Sequence, residues 1–128
     1  MSVVTNVMVS ADHGDRESVE DFSEWLETNG ATHGGGCGSL AEITVLGDNH
    51  WGGPKEPECV VWAGALNHAV TRALLDRFAA TPWRGPGVVQ LMIMEQDRFY
   101  FRLWMFQDGE LRQITPEGPP VNDDDLLP

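Results

Sequence analysis

The stretch HGGGCG, from His33 to Gly38, holds the residues whose types and spacing could most directly do chemistry. Three glycines between a histidine and a cysteine could cradle a phosphate, form an oxyanion hole or brace a metal ion. A phosphate loop follows a strand and opens a helix, whereas these glycines follow a predicted helix and precede a predicted strand. The hydrolases that use such a run also need a Gly-x-Ser-x-Gly elbow, which the chain lacks. We therefore interpret the stretch as a connection between a helix and a strand.

A metal ion or a catalytic cysteine is the alternative chemistry for this region. Asp48 and His50, in a second Gly-rich loop, could join His33 and Cys37. Zinc accepts nitrogen and sulfur ligands of this kind, and a cysteine near a histidine could act as a nucleophile. The chain has no Cys-x-x-Cys or His-x-x-x-His pair, so the signal is not specific. We expect no cofactor. The alternative hypothesis for the function is a small enzyme, or a protein that binds a metal or a small molecule, whose site consists of these four residues.

Hydrophobic periodicity predicts the elements that must position these residues. The predicted strands are 3–10, 39–46, 59–64, 88–94, 99–107 and 110–115, and the predicted helices are 16–30 and 65–82. The order β-α-β-β-α-β-β-β predicts an α+β fold of the ferredoxin-like (split βαβ) type. Its sheet would be mostly antiparallel, with two helices on one face and an added C-terminal β-hairpin strand. We expect a single domain over 1–116 and an acidic, Pro-rich flexible tail over 117–128.

The last three predicted strands form a meander in which both faces are substantially apolar. Asp108-Gly109 predicts a two-residue hairpin turn, and Gln96-Asp97 is expected to form another. Two helices of about fifteen residues cannot cover both faces, so something else must shield the second face. The sequence does not decide which face the helices cover, because a shift of one residue in register exchanges the two.

One face of this meander combines tyrosine, arginine and tryptophan, which are residue types enriched at interface hot spots. It could be closed by the loop that contains Trp51, by a second copy of the chain or by a different protein. The residues predicted to bind a partner are Trp51, Tyr100, Arg102, Trp104 and Phe106.

The chain has 20 acidic and 8 basic residues, and its formal net charge is −12. Such a charge repels nucleic acid and anionic membranes and attracts a basic partner. The chain shows no apolar run long enough to span a membrane, and two cysteines are too few for a disulfide framework, so we expect a cytoplasmic protein. The favoured hypothesis is a small acidic protein–protein interaction module, an inhibitor or immunity-type factor that binds a basic partner. A homodimer is also expected, and a homo-oligomeric structural subunit is a further alternative.

Overall fold

A computed structural model of the chain describes residues 3–45 and 52–115. These residues confirm the predicted α+β class, because they form one antiparallel sheet of six strands and two α-helices. The strands are β1 (Val4–Ala11), β2 (Ala41–Glu42), β3 (Val60–Asn67), β4 (Gln90–Glu95), β5 (Arg102–Gln107) and β6 (Glu110–Ile114). The helices are α1 (Arg16–Thr28) and α2 (Thr71–Ala80). The strands lie side by side in the order β2-β3-β1-β4-β5-β6. The predicted tail over 117–128 lies outside the described residues.

Alternation along β1 divides the sheet into two different faces. Every second residue of β1 is buried, beginning with Thr5, whereas the residues between them are only half-buried. Pairing places Val7 opposite Ile93 and Val9 opposite Leu91 on the buried side. We call this side the core face and the opposite side the outer face. The core cluster includes strand residues of the core face together with side chains from α1 (Val19, Phe22, Leu26) and α2 (Leu74, Phe78).

The predicted start of the second helix at residue 65 is wrong. β3 continues to Asn67, which pairs with Val4, and α2 begins only at Thr71. Leu66, predicted for the apolar stripe of the helix, is instead fully buried in the core from β3. The pairing with β1 overrides local helix propensity here, and the left-handed backbone of His68 (φ 58°) ends the strand.

The strand predicted over 39–46 is much shorter than expected, since β2 contains two residues. Ladder-like bonds flank it, from the Asn67 N–H to the Cys37 carbonyl (2.8 Å) and from the Ile43 N–H to the Val61 carbonyl (2.8 Å). Between them the chain bends over β3, where the missing Cβ of Gly64 makes room for the backbone of Ser39. Regular pairing is lost at this bend.

The turn after β4 also departs from prediction. A turn does form at Gln96-Asp97, where the Arg98 N–H donates to the Glu95 carbonyl (3.0 Å). It does not close a two-residue hairpin as predicted, because the register pairs Ile93 with Arg102 and leaves residues 96–101 as the connection. The Gln96 N–H donates to the Val4 carbonyl (2.8 Å), which holds this connection against β1. The Asp108-Gly109 turn is confirmed, with φ of 53° and 78° and with Gln107 paired to Glu110.

Candidate interaction surfaces

The Gly-rich stretch forms a hydrogen-bonded loop between α1 and β2. Gly34 and Gly35 have φ of 84° and 80°, a left-handed backbone that glycine adopts without strain. Gly36 packs against the end of α1, and a Cβ there would lie 1.9 Å from the Glu27 carbonyl oxygen. The Ala31 N–H donates to the Gly35 carbonyl across the loop (3.1 Å). These glycines therefore serve the backbone geometry of a helix-to-strand connection.

Cys37 and His33 face different surroundings in spite of their closeness in sequence. Cys37 is 4% exposed, and its Sγ lies 3.6 Å from the Leu26 carbonyl oxygen. Burial raises the pKa of the Cys37 thiol, which disfavours the thiolate that a nucleophile or a metal ligand needs. His33 is exposed, and its ring centroid lies 6.0 Å from that of His68.

The predicted catalytic and metal set is only partly visible. Asp48 and His50 lie outside the described residues. Over residues 3–45 and 52–115, no group of three or more His, Cys, Asp or Glu side chains is arranged to hold a metal ion.

Trp104, one of the predicted binding residues, lies on the core face. It pairs with Leu91, is 7% exposed and belongs to the core cluster. Phe106 packs against the same cluster, and its ring lies 6.3 Å from the ring of Phe78 in α2. The face of the meander that α2 contacts is therefore the one that contains Trp104 and Phe106.

Arg102 lies at the border of this cluster. Its guanidinium group sits 4.9 Å from the ring centroid of Trp104, and its Nη2 donates to a carboxylate oxygen of Glu95. The cation is thereby held between an aromatic ring and a carboxylate within the chain.

Trp51 is also predicted to bind a partner. It lies outside the described residues.

Tyr100 belongs to an exposed aromatic segment in the connection between β4 and β5. Phe99, Tyr100 and Phe101 are 71%, 47% and 40% exposed, respectively. Large apolar side chains are usually buried, so three consecutive exposed aromatic residues mark this end of the sheet as unusual.

The outer face of the sheet carries a continuous apolar row. Register places one residue from each strand side by side across all six strands. The row consists of Ala41, Ala63, Met8, Met92, Leu103 and Ile114. None of these residues belongs to the core cluster of the described chain. A row of this kind on the side opposite the core is an apolar surface that an isolated domain leaves in contact with water.

The solvent side of α1 is the most acidic surface in the described chain. It exposes five carboxylates, Glu17, Glu20, Asp21, Glu24 and Glu27, against a single basic residue in the helix, Arg16. Arg16 is already paired with Glu42, with Nε and Oε1 3.0 Å apart, and this pairing raises its pKa. Glu20 also interacts with Arg16, and the other four carboxylates are left without a cation from their own helix.

Trp25 lies at the edge of this acidic surface, where it is half-buried against the core. A groove of about 470 Å³ is lined by Asp21, Glu24, Trp25, Glu27, Thr28 and Arg77. The Arg77 guanidinium lies 6.0 Å from the Trp25 ring centroid, and the Trp25 ring stacks on Phe22. The groove therefore combines three carboxylates and an aromatic ring with one cation of the chain, Arg77, and its net negative charge favours basic side chains.

Comparison with known proteins adds no assignment. No protein family model matches the chain, and neither a curated protein nor a solved structure is similar enough to count as a match. In the described residues no helix has the length and apolar character needed to cross a membrane.

Sequence reasoning finds the two faces of the meander but misses the contrast in charge between α1 and the sheet. Alternation predicts one meander face with Phe99, Phe101, Leu103, Met105 and Ile114 and leaves open which face is covered. The pattern of Glu17, Glu20 and Asp21 alone is typical of an ordinary solvated helix face. The available signal was the spacing of Asp21, Trp25 and Thr28, which places an aromatic ring among carboxylates on one side of α1.

Proposed function

We propose that this chain is an acidic protein-binding module that docks a basic protein on the exposed side of α1. The observation that carries the proposal is the groove whose lining combines Asp21, Glu24 and Glu27 with Trp25. Carboxylates alone would describe a solvated helix, whereas a half-buried indole beside them supplies an anchor for the stem and the charge of an arginine or lysine.

The distribution of charge supports a directed encounter. The chain carries a net charge of −12, and five carboxylates lie on α1. On the outer face of the strands, by contrast, the charged side chains are Glu110 and Arg112, which pair with each other at 3.0 Å. A basic partner would therefore be steered toward α1 and away from the sheet. Masking a positively charged surface in this way is the action of an inhibitor or immunity-type factor.

We further infer that the fold is a ferredoxin-like core with both helices on its core face. The strand order β2-β3-β1-β4, antiparallel throughout, is the order that a split βαβ arrangement requires. Contact between the helices supports this, because the rings of Phe22 and Phe78 meet edge to face at 5.3 Å. β5 and β6 would then extend the sheet beyond this core.

Charge reversal on α1 tests the function. The variant Glu24→Lys/Glu27→Lys should lose basic proteins that the wild-type chain captures from its native lysate at low salt. A matched control is Glu56→Lys/Glu58→Lys, which changes the net charge equally at two exposed positions before β3. The control should retain those proteins, and wild-type capture should fall as salt rises. Equal loss in both variants would show a non-specific charge effect and contradict docking on α1.

The anchor can be tested separately from the charge. Trp25→Ala keeps all carboxylates, so a specific partner should dissociate at least ten-fold faster, whereas a purely electrostatic attraction would be unchanged. The measurement is surface plasmon resonance with a captured partner. The predicted homodimer would involve a different surface, the outer face of the sheet.

A further inference from the structure

We propose that a second copy of this chain covers the outer face of the sheet, so that two sheets pack face to face in a symmetric dimer. The proposal starts from the apolar row that runs across all six strands through Met8. The neighbours of this row on the outer face are mixed: Ala65, Asn6 and Met94 lie on one side of it, and Val61, Ser10, Gln90 and Met105 on the other. The surface is thus apolar along the row and uncharged beside it, and its ionic groups, Glu110 and Arg112, are confined to the edge strand β6.

The two halves of the outer face have complementary sizes. On one side of β1 the row holds alanines, Ala63 in β3 and Ala41 in β2. On the other side it holds Met92 in β4 and Leu103 in β5. A two-fold axis parallel to β1 and passing over Met8 would place Met92 of each copy against Ala63 of the other. Large side chains would then meet small ones, as facing layers of a well-packed core do.

The two-fold axis sets how much of the outer face the dimer buries. With the axis over β1, the strands that face each other are β1 with β1, β3 with β4 and β2 with β5, and β6 extends beyond the partner's sheet. With about 3.3 Å per residue along a strand and about 4.8 Å between strands, the facing parts cover roughly 380 Å² per copy, or about 760 Å² for two copies before the relief of the side chains is included. A standard specific interface needs about 1,000 Å² with good complementarity, so this dimer lies at the small end of that range and should depend on concentration.

Charge favours this face over the other for a second copy. Two chains of net charge −12 repel each other most strongly if their α1 surfaces meet. With sheets in contact, the two α1 helices lie on the outside of a four-layer particle, about 30 Å apart for layer spacings near 10 Å. That separation is several times the Debye length of about 8 Å at physiological ionic strength, so the repulsion is largely screened. A dissimilar basic protein would find on the outer strands only the carboxylate of Glu110, which Arg112 already pairs.

A pair of variants tests both the face and the symmetry. Wild-type protein in sedimentation equilibrium should show a mass twice the 14.1 kDa of one chain. Met92→Glu alone and Ala63→Lys alone should each weaken dimerisation at least 100-fold, since each buries an unpaired charge. Mixed one to one, the two variants should form a heterodimer, because Glu at position 92 of one chain then meets Lys at position 63 of the other. Circular dichroism checks that each variant is folded.

Controls on the opposite side separate this dimer from the proposed function. Ala79→Lys, at an exposed position of α2, and Glu24→Lys/Glu27→Lys should both remain dimeric. Conversely, Met92→Glu should still capture the basic partner of α1, so either proposal can fail without the other. If the wild-type chain is monomeric at high micromolar concentration, the dimer proposal is overturned. A monomer is also the result expected if another segment of the same chain covers the outer face. A wild-type dimer that survives Met92→Glu would overturn the assigned face, and failure of the mixture to associate would overturn the two-fold axis over β1.

Discussion

The carboxylate of Asp15 accepts a hydrogen bond from the backbone N–H of Gly85 at 2.8 Å, although 70 residues separate the two in the chain. Its other oxygen accepts from the N–H of Arg84 at 2.7 Å. Asp15 is the N-cap residue of α1, yet its side chain makes no capping bond and is fully buried against the segment that follows α2. One buried side chain therefore connects the beginning of α1 to the segment that follows α2 through two hydrogen bonds.

Asp15→Asn should destabilise the protein by about 1–3 kcal/mol, because one amide NH₂ would face a backbone N–H and leave a buried donor without an acceptor. Urea unfolding measures the loss. Asp12→Asn is the matched control, since the exposed Asp12 accepts only from the neighbouring Gly14 N–H at 2.9 Å. Its loss should stay below about 1 kcal/mol. Similar losses for the two variants would contradict the role assigned to Asp15.

Gly36→Ala should cost about 3 kcal/mol or more, because the new Cβ would collide with the backbone carbonyl of Glu27, which cannot move without disturbing α1. Gly87→Ala is the control, because a Cβ there meets nothing within 4 Å and its φ is not left-handed. Thermal unfolding should show a clear drop in Tm for the first variant and little change for the second. A tolerated Gly36→Ala would show that the loop does not pack on α1 as described.

Trp104→Ala should lower the free energy of unfolding by about 3–5 kcal/mol, as expected for a large aromatic side chain removed from a core. Tyr100→Ala removes another aromatic ring, but one that is 47% exposed, and it should cost less than about 1 kcal/mol. Chemical denaturation of the two variants side by side makes the comparison. If Tyr100→Ala were the more damaging change, the assignment of Trp104 to the core face would be wrong.

Stability should fall in alkaline solution through Cys37. Burial raises the pKa of its thiol, so folding favours the protonated form. This contribution is complete below the pKa of the unfolded thiol, near 9.0, and is lost as pH rises through the folded pKa. The free energy of unfolding of the wild type should therefore decrease more between about pH 8 and 10.5 than that of Cys37→Ala. The test is urea unfolding with a reductant present, and parallel pH profiles would refute the expectation.

Alkylation gives an independent check on the same side chain. Cys59 is half-buried and Cys37 is buried, so iodoacetamide should modify Cys59 first in the native protein. Mass spectrometry of digested samples would locate the label. Rapid native labelling of Cys37 would mean that the Gly-rich loop opens and that the alternative chemistry of this region needs renewed testing.

Local pattern determined the elements whose signal lies within a few consecutive residues. The stripe of Val19, Phe22, Trp25 and Leu26 predicts α1; Trp25 is half-buried and the other three side chains are buried. Asp108-Gly109 predicted a hairpin whose pairing of Phe106 with Leu111 is confirmed. Both signals depend on backbone periodicity or on a left-handed turn, which are properties of short segments.

Long-range pairing decided the boundaries that the local pattern missed. Ala65 to Asn67 have good helical neighbours, but partners in β1 hold them in a strand. The backbone of Ser39 bends over Gly64, which shortens β2, and contact with Val4 lengthens the connection after β4. No stretch of a few residues contains the partner that makes these choices, because each partner is more than twenty residues away.

The two faces of the sheet show most clearly which features the sequence determines and which depend on the tertiary structure. Alternation in the sequence separates Trp104 from Leu103 on opposite faces, but a period of two says nothing about which face the helices cover. Tertiary structure placed Trp104 in the core and left Leu103 and Met92 on the outer face. Composition likewise determined the net charge of −12, whereas only the folded chain sets the acidic surface of α1 on one side and a nearly uncharged sheet face on the other. Net charge is a sum over the chain and alternation is a period along it, so both can be read from the sequence. A surface depends on distances between residues that are far apart in the sequence, and only the fold sets those distances.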